Sequence, residues 1–203
     1  VLVEGPLKKK EGSYLVSGRF GYPGVVAGLL GSNLTSKPQM WFYDVNAKVN
    51  RTLDARNRMF FSLYSGGDHT VFNKLVKGYG MDWGNATATI RWNHILNDKT
   101  NVNTSAVFSN YYYKYKSLSD GLRYVWKSNM QSYQLKSDWE RYQNNLLTLK
   151  GGVNLHYFTT MPGEVGKSGK DSNITPSQMP RKSLWDAALY AEANYKFLPH
   201  FLL

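Results

Sequence analysis

A strict alternation of apolar and polar residues from position 43 to position 50 constrains the fold of this chain more than any other feature. Its members, apolar and polar in turn, are Tyr43, Asp44, Val45, Asn46, Ala47, Lys48, Val49 and Asn50. Successive side chains of a β-strand point to opposite faces, so this period predicts a strand with one apolar and one polar face. The polar segment Asp54-Ala55-Arg56-Asn57 follows, and the alternation then resumes. The stretch from Met40 to Tyr64 is therefore predicted to be a β-hairpin.

The same period recurs along the chain and predicts about nine strands. They fall in 1–7, 13–22, 40–64 (two strands), 85–96, 102–115, 131–142, 147–158 and 184–197. Short polar turns are predicted at Lys8, Asp54, Asn97 and Gln143, and long loops over 23–38, 66–81, 117–128 and 161–181. Short and long connections thus alternate, and this places all the short turns at one end of the sheet.

Aromatic residues cluster where the predicted strands meet the long loops. The clusters are Phe20/Tyr22, Trp41/Phe42/Tyr43, Trp83, Tyr111/Tyr112/Tyr113 and Tyr157/Phe158. Alternating strands, short turns on one side and aromatic belts beside longer loops are typical of an antiparallel transmembrane β-barrel of an outer membrane. A soluble β-sandwich would show a fully apolar buried face and no bias in the side on which its turns lie.

The predicted strand number is odd, and this indicates that the barrel is incomplete. An antiparallel barrel closes with an even number of strands, and the first and last predicted strands run in the same direction. We therefore expect residues 1–203 to be part of one larger barrel, and Val1 and Leu203 not to mark strands that pair with each other.

Five segments resemble TonB-dependent outer-membrane receptors of the type found in Bacteroidetes. They are EGPLKKKEGSYLVSGRFGY, FYDVNAKVN, GNATATIRWNHI, YFTTMPGE and LYAEANYKF, in the order in which the family has them. The resemblance implies a barrel of about 22 strands, active uptake of a nutrient (siderophore, cobalamin, glycan or peptide), and TonB as the partner. It also implies contact with outer-membrane lipid and leaves open a SusD-like lipoprotein. The family's TonB box and plug domain do not occur in these 203 residues.

Other function classes find little support. The net charge of +11 suggests an anionic partner, but no basic stripe interleaved with aromatic residues indicates nucleic-acid binding. The sequence shows no catalytic triad, phosphate loop or dinucleotide fingerprint, so we predict neither an enzyme nor a cofactor. The histidines lack metal-ligand spacing, and Asp68-His69 in a predicted loop is the one weak metal candidate. Two alternatives remain: a complete small outer-membrane or surface β protein with a structural or adhesive role, and a soluble β-rich ligand-binding domain.

The candidate functional residues are the polar members of the predicted strands, which would face the barrel lumen. Charged side chains are tolerated there because water or a plug occupies the space. They can contact the plug, hydrating water or the substrate, although loop residues are better candidates for substrate contact. The lumen-facing candidates are Arg19, Asp44, Asn46, Lys48, Arg91, Asn154, Glu192 and Lys196, with Lys150 also on a polar face.

The two faces of the central strand lead to a first prediction. In the protein that contains this chain, Val45→Lys should destabilise the barrel by about 2–4 kcal/mol because it places a charge in lipid. Asn46→Lys should cost little, because its side chain would meet water. Thermal unfolding of both variants in detergent or bilayers measures the difference, and equal damage from both would contradict the assignment of the faces.

Overall fold

The computed structural model of the chain describes residues 1–8, 11–30, 39–73, 78–117, 119, 123–169 and 172–196. These residues form one antiparallel sheet with ten strands and a short helix. The strands are β1 (Leu2–Lys8), β2 (Gly12–Gly21), β3 (Gln39–Thr52), β4 (Asn57–Asn73), β5 (Gly78–Asn97), β6 (Thr100–Ser117), β7 (Tyr124–Tyr142), β8 (Leu147–Lys167), β9 (Ser177–Gln178) and β10 (Lys182–Tyr195). The helix, α1, spans Pro23–Leu30.

The strand order in the sheet follows the chain. It runs β1-β2-β3-β4-β5-β6-β7-β8-β10, and the two-residue strand β9 pairs with β8 beside this path. Within the described residues β1 pairs only with β2 and β10 only with β8, so the sheet is open. The expectation that the first and last strands do not pair with each other is confirmed for the described residues.

One end of the sheet carries the predicted long loops, and we call it the loop end. At this end the strands are longer than the sequence predicts. The loop predicted over 66–81 is wrong, because β4 continues to Asn73 and β5 begins at Gly78. Residues 124–128 and 161–167, also predicted as loop, belong to β7 and β8. The alternation of apolar and polar residues fades there, whereas the backbone pairing does not. Tyr157 and Phe158 consequently lie in the middle of β8 and not at its end.

Two further segments differ from the prediction. Residues 23–30, predicted as part of a loop, form α1, whose first residue is Pro23, and the fixed φ of proline suits the first turn of a helix. The rest of that predicted loop, 31–38, lies outside the described residues. In the loop predicted over 161–181, β9 adds two backbone pairs to β8. Within the described residues, no helix is both long and apolar enough to cross a membrane.

The strand register separates the side chains into an apolar face and a polar face. One row across the sheet joins Gly5, Tyr14, Val49, Phe61, Ile90, Ala106, Leu135, Leu155 and Ala187. The next row on the same side joins Val3, Val16, Ala47, Leu63, Ala88, Phe108, Tyr133, Tyr157 and Trp185. The row between them points the other way and joins Glu4, Leu15, Lys48, Ser62, Thr89, Val107, Gln134, His156 and Asp186.

The apolar face is not covered by any other part of the described chain. No hydrophobic residue among those described is buried, and Leu63, Leu189 and Trp185 are 58%, 82% and 71% exposed. A soluble sandwich or barrel would bury such residues between its layers. Within the described residues, the apolar side chains therefore lie on a face that is open to contact with another apolar surface or medium.

The predicted turn of the central hairpin is present and is held by Asp54. Its carboxylate accepts hydrogen bonds from the Arg56 backbone N–H (2.7 Å) and the Asn57 side-chain amide (2.9 Å). These bonds, the Arg56 N–H first, lower the pKa of Asp54 below its ordinary value of 3.8. The carboxylate form therefore stabilises the turn above the ordinary pKa, and this stabilisation is lost as the pH falls through the lowered value.

Two adjacent glycines in β8 give a prediction about the packing of the polar face. A Cβ on Gly152 would lie 2.7 Å from the Ser137 carbonyl oxygen and 2.5 Å from the Tyr190 ring. A Cβ on Gly151, on the apolar face, would meet only the Tyr190 carbonyl oxygen at 3.4 Å. We expect Gly152→Ala to destabilise the sheet by about 1–3 kcal/mol through overpacking, and Gly151→Ala to have a small effect.

Thermal unfolding in detergent, followed by the loss of β-sheet circular dichroism, compares these two variants with the unchanged protein. A lower unfolding temperature for Gly151→Ala than for Gly152→Ala would contradict the packing on the polar face.

Candidate functional site: the polar face of the sheet

The strand register places the predicted lumen-facing residues on one side of the sheet. Arg19, Asp44, Asn46, Lys48, Arg91, Asn154 and Glu192 all alternate with residues of the apolar face. Lys196 follows the end of β10, and its backbone N–H donates to the Leu146 carbonyl oxygen at 2.8 Å. That this face lines a lumen stays a prediction.

Only two of these residues contact each other directly. Arg19 Nε donates to Asp44 Oδ2 at 2.6 Å across the β2–β3 pair. The Arg19 guanidinium also lies 5.2 Å from the centre of the Phe42 ring. Asn154 instead accepts a hydrogen bond from Gln134 at 2.8 Å, and Glu192 lies opposite Lys150 in the register. The candidates therefore share a face without forming one compact site.

The polar face carries three further charges that the sequence reasoning did not single out, those of Lys136, Asp138 and Glu140. Asp138 accepts a hydrogen bond from the Tyr190 hydroxyl at 2.8 Å and forms an ion pair with Lys136 at 2.9 Å. Glu140 pairs with Lys150 at 3.5 Å. Lys136, Asp138 and Glu140 occupy every second position of β7, and this spacing in the sequence indicates that they share one face of the strand. These groups are partly exposed, with 31–44% of each side chain accessible, and ion pairs that water reaches stabilise a fold by about 0–1 kcal/mol each.

A shallow groove in the middle of the polar face is rich in cations. Its volume is about 540 Å³, and Lys48, Arg91 and Lys136 line it. The guanidinium of Arg91 lies 4.3 Å and that of Arg58 5.0 Å from the centre of the Phe60 ring. Such cation–π contacts hold the arginines against the sheet and leave the groove positively charged. The groove suits acidic side chains or an anionic ligand.

Six aromatic rings form a second cluster on the polar face, close to the loop end. We call it the aromatic shelf, and its members are Phe72, Tyr79, Tyr113, Tyr115, Tyr124 and Trp126. The shelf spans β4 to β7. It lies on the same side as the groove, because the positions of Val107 of the groove and Tyr115 on β6 differ by eight, an even number. Sequence reasoning missed it because Phe72, Tyr79 and Tyr124 were assigned to loops.

Four rings of the shelf form a continuous row. The ring centres of Phe72 and Tyr79 are 5.0 Å apart, those of Tyr79 and Tyr115 6.3 Å, and those of Tyr115 and Tyr124 5.9 Å. Trp126 contacts Tyr113 edge to face at 5.6 Å. Tyr79 and Trp126 remain 38% and 36% exposed. The rings support one another and still present open surface to a ligand.

The apolar face changes character at the loop end. Trp41 stacks on His69 at 5.1 Å, and the His69 ring nitrogen Nδ1 contacts the Asp82 carboxylate. Lys114 Nζ lies 3.5 Å from the same carboxylate. Charged groups begin one row beyond Tyr43 and Tyr112 on this face. The uncharged apolar band of the face therefore ends at the row of those two tyrosines.

The metal candidate Asp68-His69 is wrong as it was predicted. The two residues lie on β4 and not in a loop, and because they are adjacent in a strand their side chains point to opposite faces. Among the described residues, no group of three or more histidine, cysteine, aspartate or glutamate side chains could hold a metal ion.

Comparison with known proteins finds a protein of similar fold but no protein of related sequence. No protein-family model matches the sequence, and no curated protein matches it. The fold is similar to that of the ferric-catecholate import receptor Fiu from K12 E. coli, a TonB-dependent receptor, in the crystal structure of its closed form. The TM-score is 0.59 and the sequence identity 8%.

The alignment with Fiu covers 92% of this chain and 38% of the Fiu chain. The chain thus spans well under half the length of the receptor that it matches. An identity of 8% shows the fold alone. The predicted fold class is confirmed: the chain is all-β, and its open antiparallel sheet has the fold of part of the barrel of a TonB-dependent receptor.

Proposed function

We propose that this chain forms part of the barrel of a TonB-dependent transporter in the outer membrane that takes up a nutrient. The observation that carries the proposal is the pair of faces on a receptor-like sheet. One face is apolar and uncovered, and the other holds paired charges and polar side chains. Lipid covers the first and water or a plug the second, as in transmembrane barrels.

The two parts of the polar face have different roles in this proposal. The cationic groove around Phe60 contacts the plug, which closes the barrel until TonB drives its rearrangement. The aromatic shelf lies nearer the loop end and contacts the nutrient as it enters. Arg19, Asp44, Asn46, Lys48, Arg91, Asn154, Glu192 and Lys196 line the lumen between the two ends. The proposed activity is transport and not catalysis.

Several finer features belong to the proposal and come from the sequence resemblance. These are a barrel domain that includes residues 1–203, with the plug and the TonB box in another part of the protein, a Bacteroidetes-type receptor and a SusD-like lipoprotein over the barrel. The nutrient class is siderophore, cobalamin, glycan or peptide. Fiu is described as an importer of ferric catecholates, but 8% identity gives no ground for assigning that ligand to this chain.

Single cysteines at neighbouring positions test the membrane orientation. The sequence has no cysteine, so Val153→Cys and Asn154→Cys each introduce one thiol into this chain, on opposite faces of β8. After reconstitution in bilayers, we expect Val153→Cys to react with a lipid-soluble maleimide and Asn154→Cys with a charged, water-soluble one. Faster reaction of Val153→Cys with the water-soluble reagent would contradict the proposed orientation.

Transport is tested in cells that express the protein containing this chain, in otherwise identical strains with and without TonB. Radiolabelled ferric tris(catecholate), cobalamin, neutral oligosaccharides and oligopeptides are the probes. We expect at least one of them to accumulate only when both TonB and the protein are present. Accumulation of none of them, or equal accumulation without TonB, would contradict the proposed function.

A further inference from the structure

Aromatic side chains border the apolar face at both ends of its strands. At the loop end they form what we call the loop-end belt, whose members are Phe20, Trp41, Tyr43, Tyr112, Tyr133, Tyr157 and Trp185. Toward the short turns they form the turn-end belt, whose members are Tyr14, Trp92, Trp139 and Tyr195. Between the belts, the described residues of this face include no tyrosine or tryptophan. Such rings are enriched where a membrane-spanning surface passes from lipid to water.

The position of these rings favours a bilayer over a protein as the partner of the apolar face. At a protein–protein interface, tyrosine and tryptophan concentrate near the centre of the contact, whereas the centre of this face is aliphatic, as at Val49 and Leu155. Polar groups between the belts also pair with one another. Trp139 Nε1 donates to Ser137 Oγ at 2.8 Å, and Thr104 Oγ1 lies 3.2 Å from the same oxygen. Lipid requires such internal pairing, because it offers no hydrogen-bond partner.

The turn-end belt crosses the sheet obliquely. Tyr14 on β2 and Ala187 on β10 share one row across the sheet, but Tyr195 of the belt lies eight residues beyond Ala187 toward the turns. Trp92 on β5 and Trp139 on β7 are intermediate, because they lie two and four residues from that row in the same direction. The belt therefore moves by eight residues over the seven strand-to-strand steps from β2 to β10.

The charged residues of the apolar face near the turns follow the same slope. Counted from the middle of the sheet, the first charge on β3 is Arg51 and the first on β7 is Arg141. Arg51 shares a row with Ser137 of β7, and Arg141 lies four residues beyond Ser137. The limit of the uncharged surface thus moves by four residues over four steps. Leu189 on β10 shares the row of Arg51, so a lipid layer that followed the rows would place this leucine and this arginine at one depth.

The loop-end belt slopes in the same direction. Phe20 and Tyr112 share one row across the sheet. Tyr133 and Tyr157, on strands farther along the sheet, lie four residues nearer the turns than that row. Just beyond this part of the belt, toward the loop end, the face carries the uncharged polar side chains of Gln131, Thr159 and Ser183. Lipid that reached the row of Phe20 on every strand would cover these polar groups, whereas an oblique border leaves them outside.

These shifts correspond to an angle between the rows of the sheet and the border of the apolar band. With a rise of about 3.3 Å per residue and about 4.8 Å between strands, the angle is roughly 20° for the loop-end belt, 35° for the charged residues and 40° for the turn-end belt. The strands of transmembrane barrels are tilted by about 35–45°. Three sets of side chains thus indicate one direction of inclination, and two of them give the size expected of a barrel in a membrane.

We propose that a bilayer covers the apolar face as an oblique band between the two belts, inclined to the rows by roughly 35°. In one row the lipid covers Leu189 and leaves Arg51 in water. In another it covers Val45 and leaves Gln131 in the headgroup layer, although the two side chains share a row and a face. This assignment rests on the proposed membrane orientation and deepens it, because it gives each residue of the face a depth in the bilayer.

Nitroxide labels on single cysteines measure these depths in the protein that contains this chain, after reconstitution in bilayers and with any cysteine elsewhere replaced by serine. Collision rates with oxygen, which concentrates in lipid, and with a water-soluble nickel chelate give the depth of each label. Two pairs of row partners are compared, Val45→Cys with Gln131→Cys and Met59→Cys with Leu189→Cys. We expect Val45→Cys and Leu189→Cys to lie deeper than their partners by roughly 10 Å.

Leu63→Cys and Val153→Cys form the matched control, because they lie four residues apart relative to the rows and four strands apart in the sheet. The oblique band predicts equal depths for this pair. All variants are first checked for β-sheet circular dichroism and resistance to protease. Equal depths within each pair of row partners, with unequal depths in the control pair, would overturn the oblique band and leave the proposed membrane orientation in place. Free access of the nickel chelate to Val45→Cys, Leu63→Cys, Val153→Cys and Leu189→Cys would overturn both, and exclusion of both reagents from these four labels would indicate a protein in place of lipid.

Discussion

The structure depends on one constraint, that a single sheet satisfies its backbone hydrogen bonds without burying its apolar side chains. Each strand from β2 to β8 pairs with a neighbour on both sides, and no hydrophobic residue is buried within the described part of the chain. In water, the exposed rows of Val49 and Ala47 would strongly favour aggregation. In lipid they need no protein partner, and the paired backbone of β2 to β8 meets what a bilayer requires of a spanning structure.

The polar face follows from the same constraint. A sheet that is covered by lipid on one side has its charged residues on the other, and there they pair across strands, as Arg19 with Asp44 and Lys136 with Asp138. These partly exposed pairs add little stability. The groove around Phe60 takes its positive charge from Lys48 and Arg91, and Arg91 is held against the sheet by its contact with the Phe60 ring. A groove of this charge favours contact with acidic side chains or an anionic ligand.

The sequence predicts those parts of the fold in which each face has one chemical character. The hairpin from β3 to β4, its turn at Asp54 and the polar positions Asp44 to Lys48 were found because apolar and polar residues alternate strictly there. The prediction failed where both faces are aromatic or polar, as over 66–81, and where a few local residues form a helix, as at Pro23. The contact of Tyr190 with Asp138 depends on the register between strands that are far apart in the chain. No local sequence pattern encodes this register.

The segment Tyr111-Tyr112-Tyr113-Lys114-Tyr115-Lys116 shows how one period can serve two environments. Nearer the turns, β6 alternates apolar with polar residues, as Phe108 does with Ser109. From Tyr113 to Lys116 the same period separates rings from lysines, so the face that was polar becomes aromatic and the face that was apolar becomes charged. The backbone pairing continues unchanged through this exchange. In the proposed orientation, this exchange marks the level at which lipid gives way to water, and the polar face changes there from charged side chains to aromatic rings.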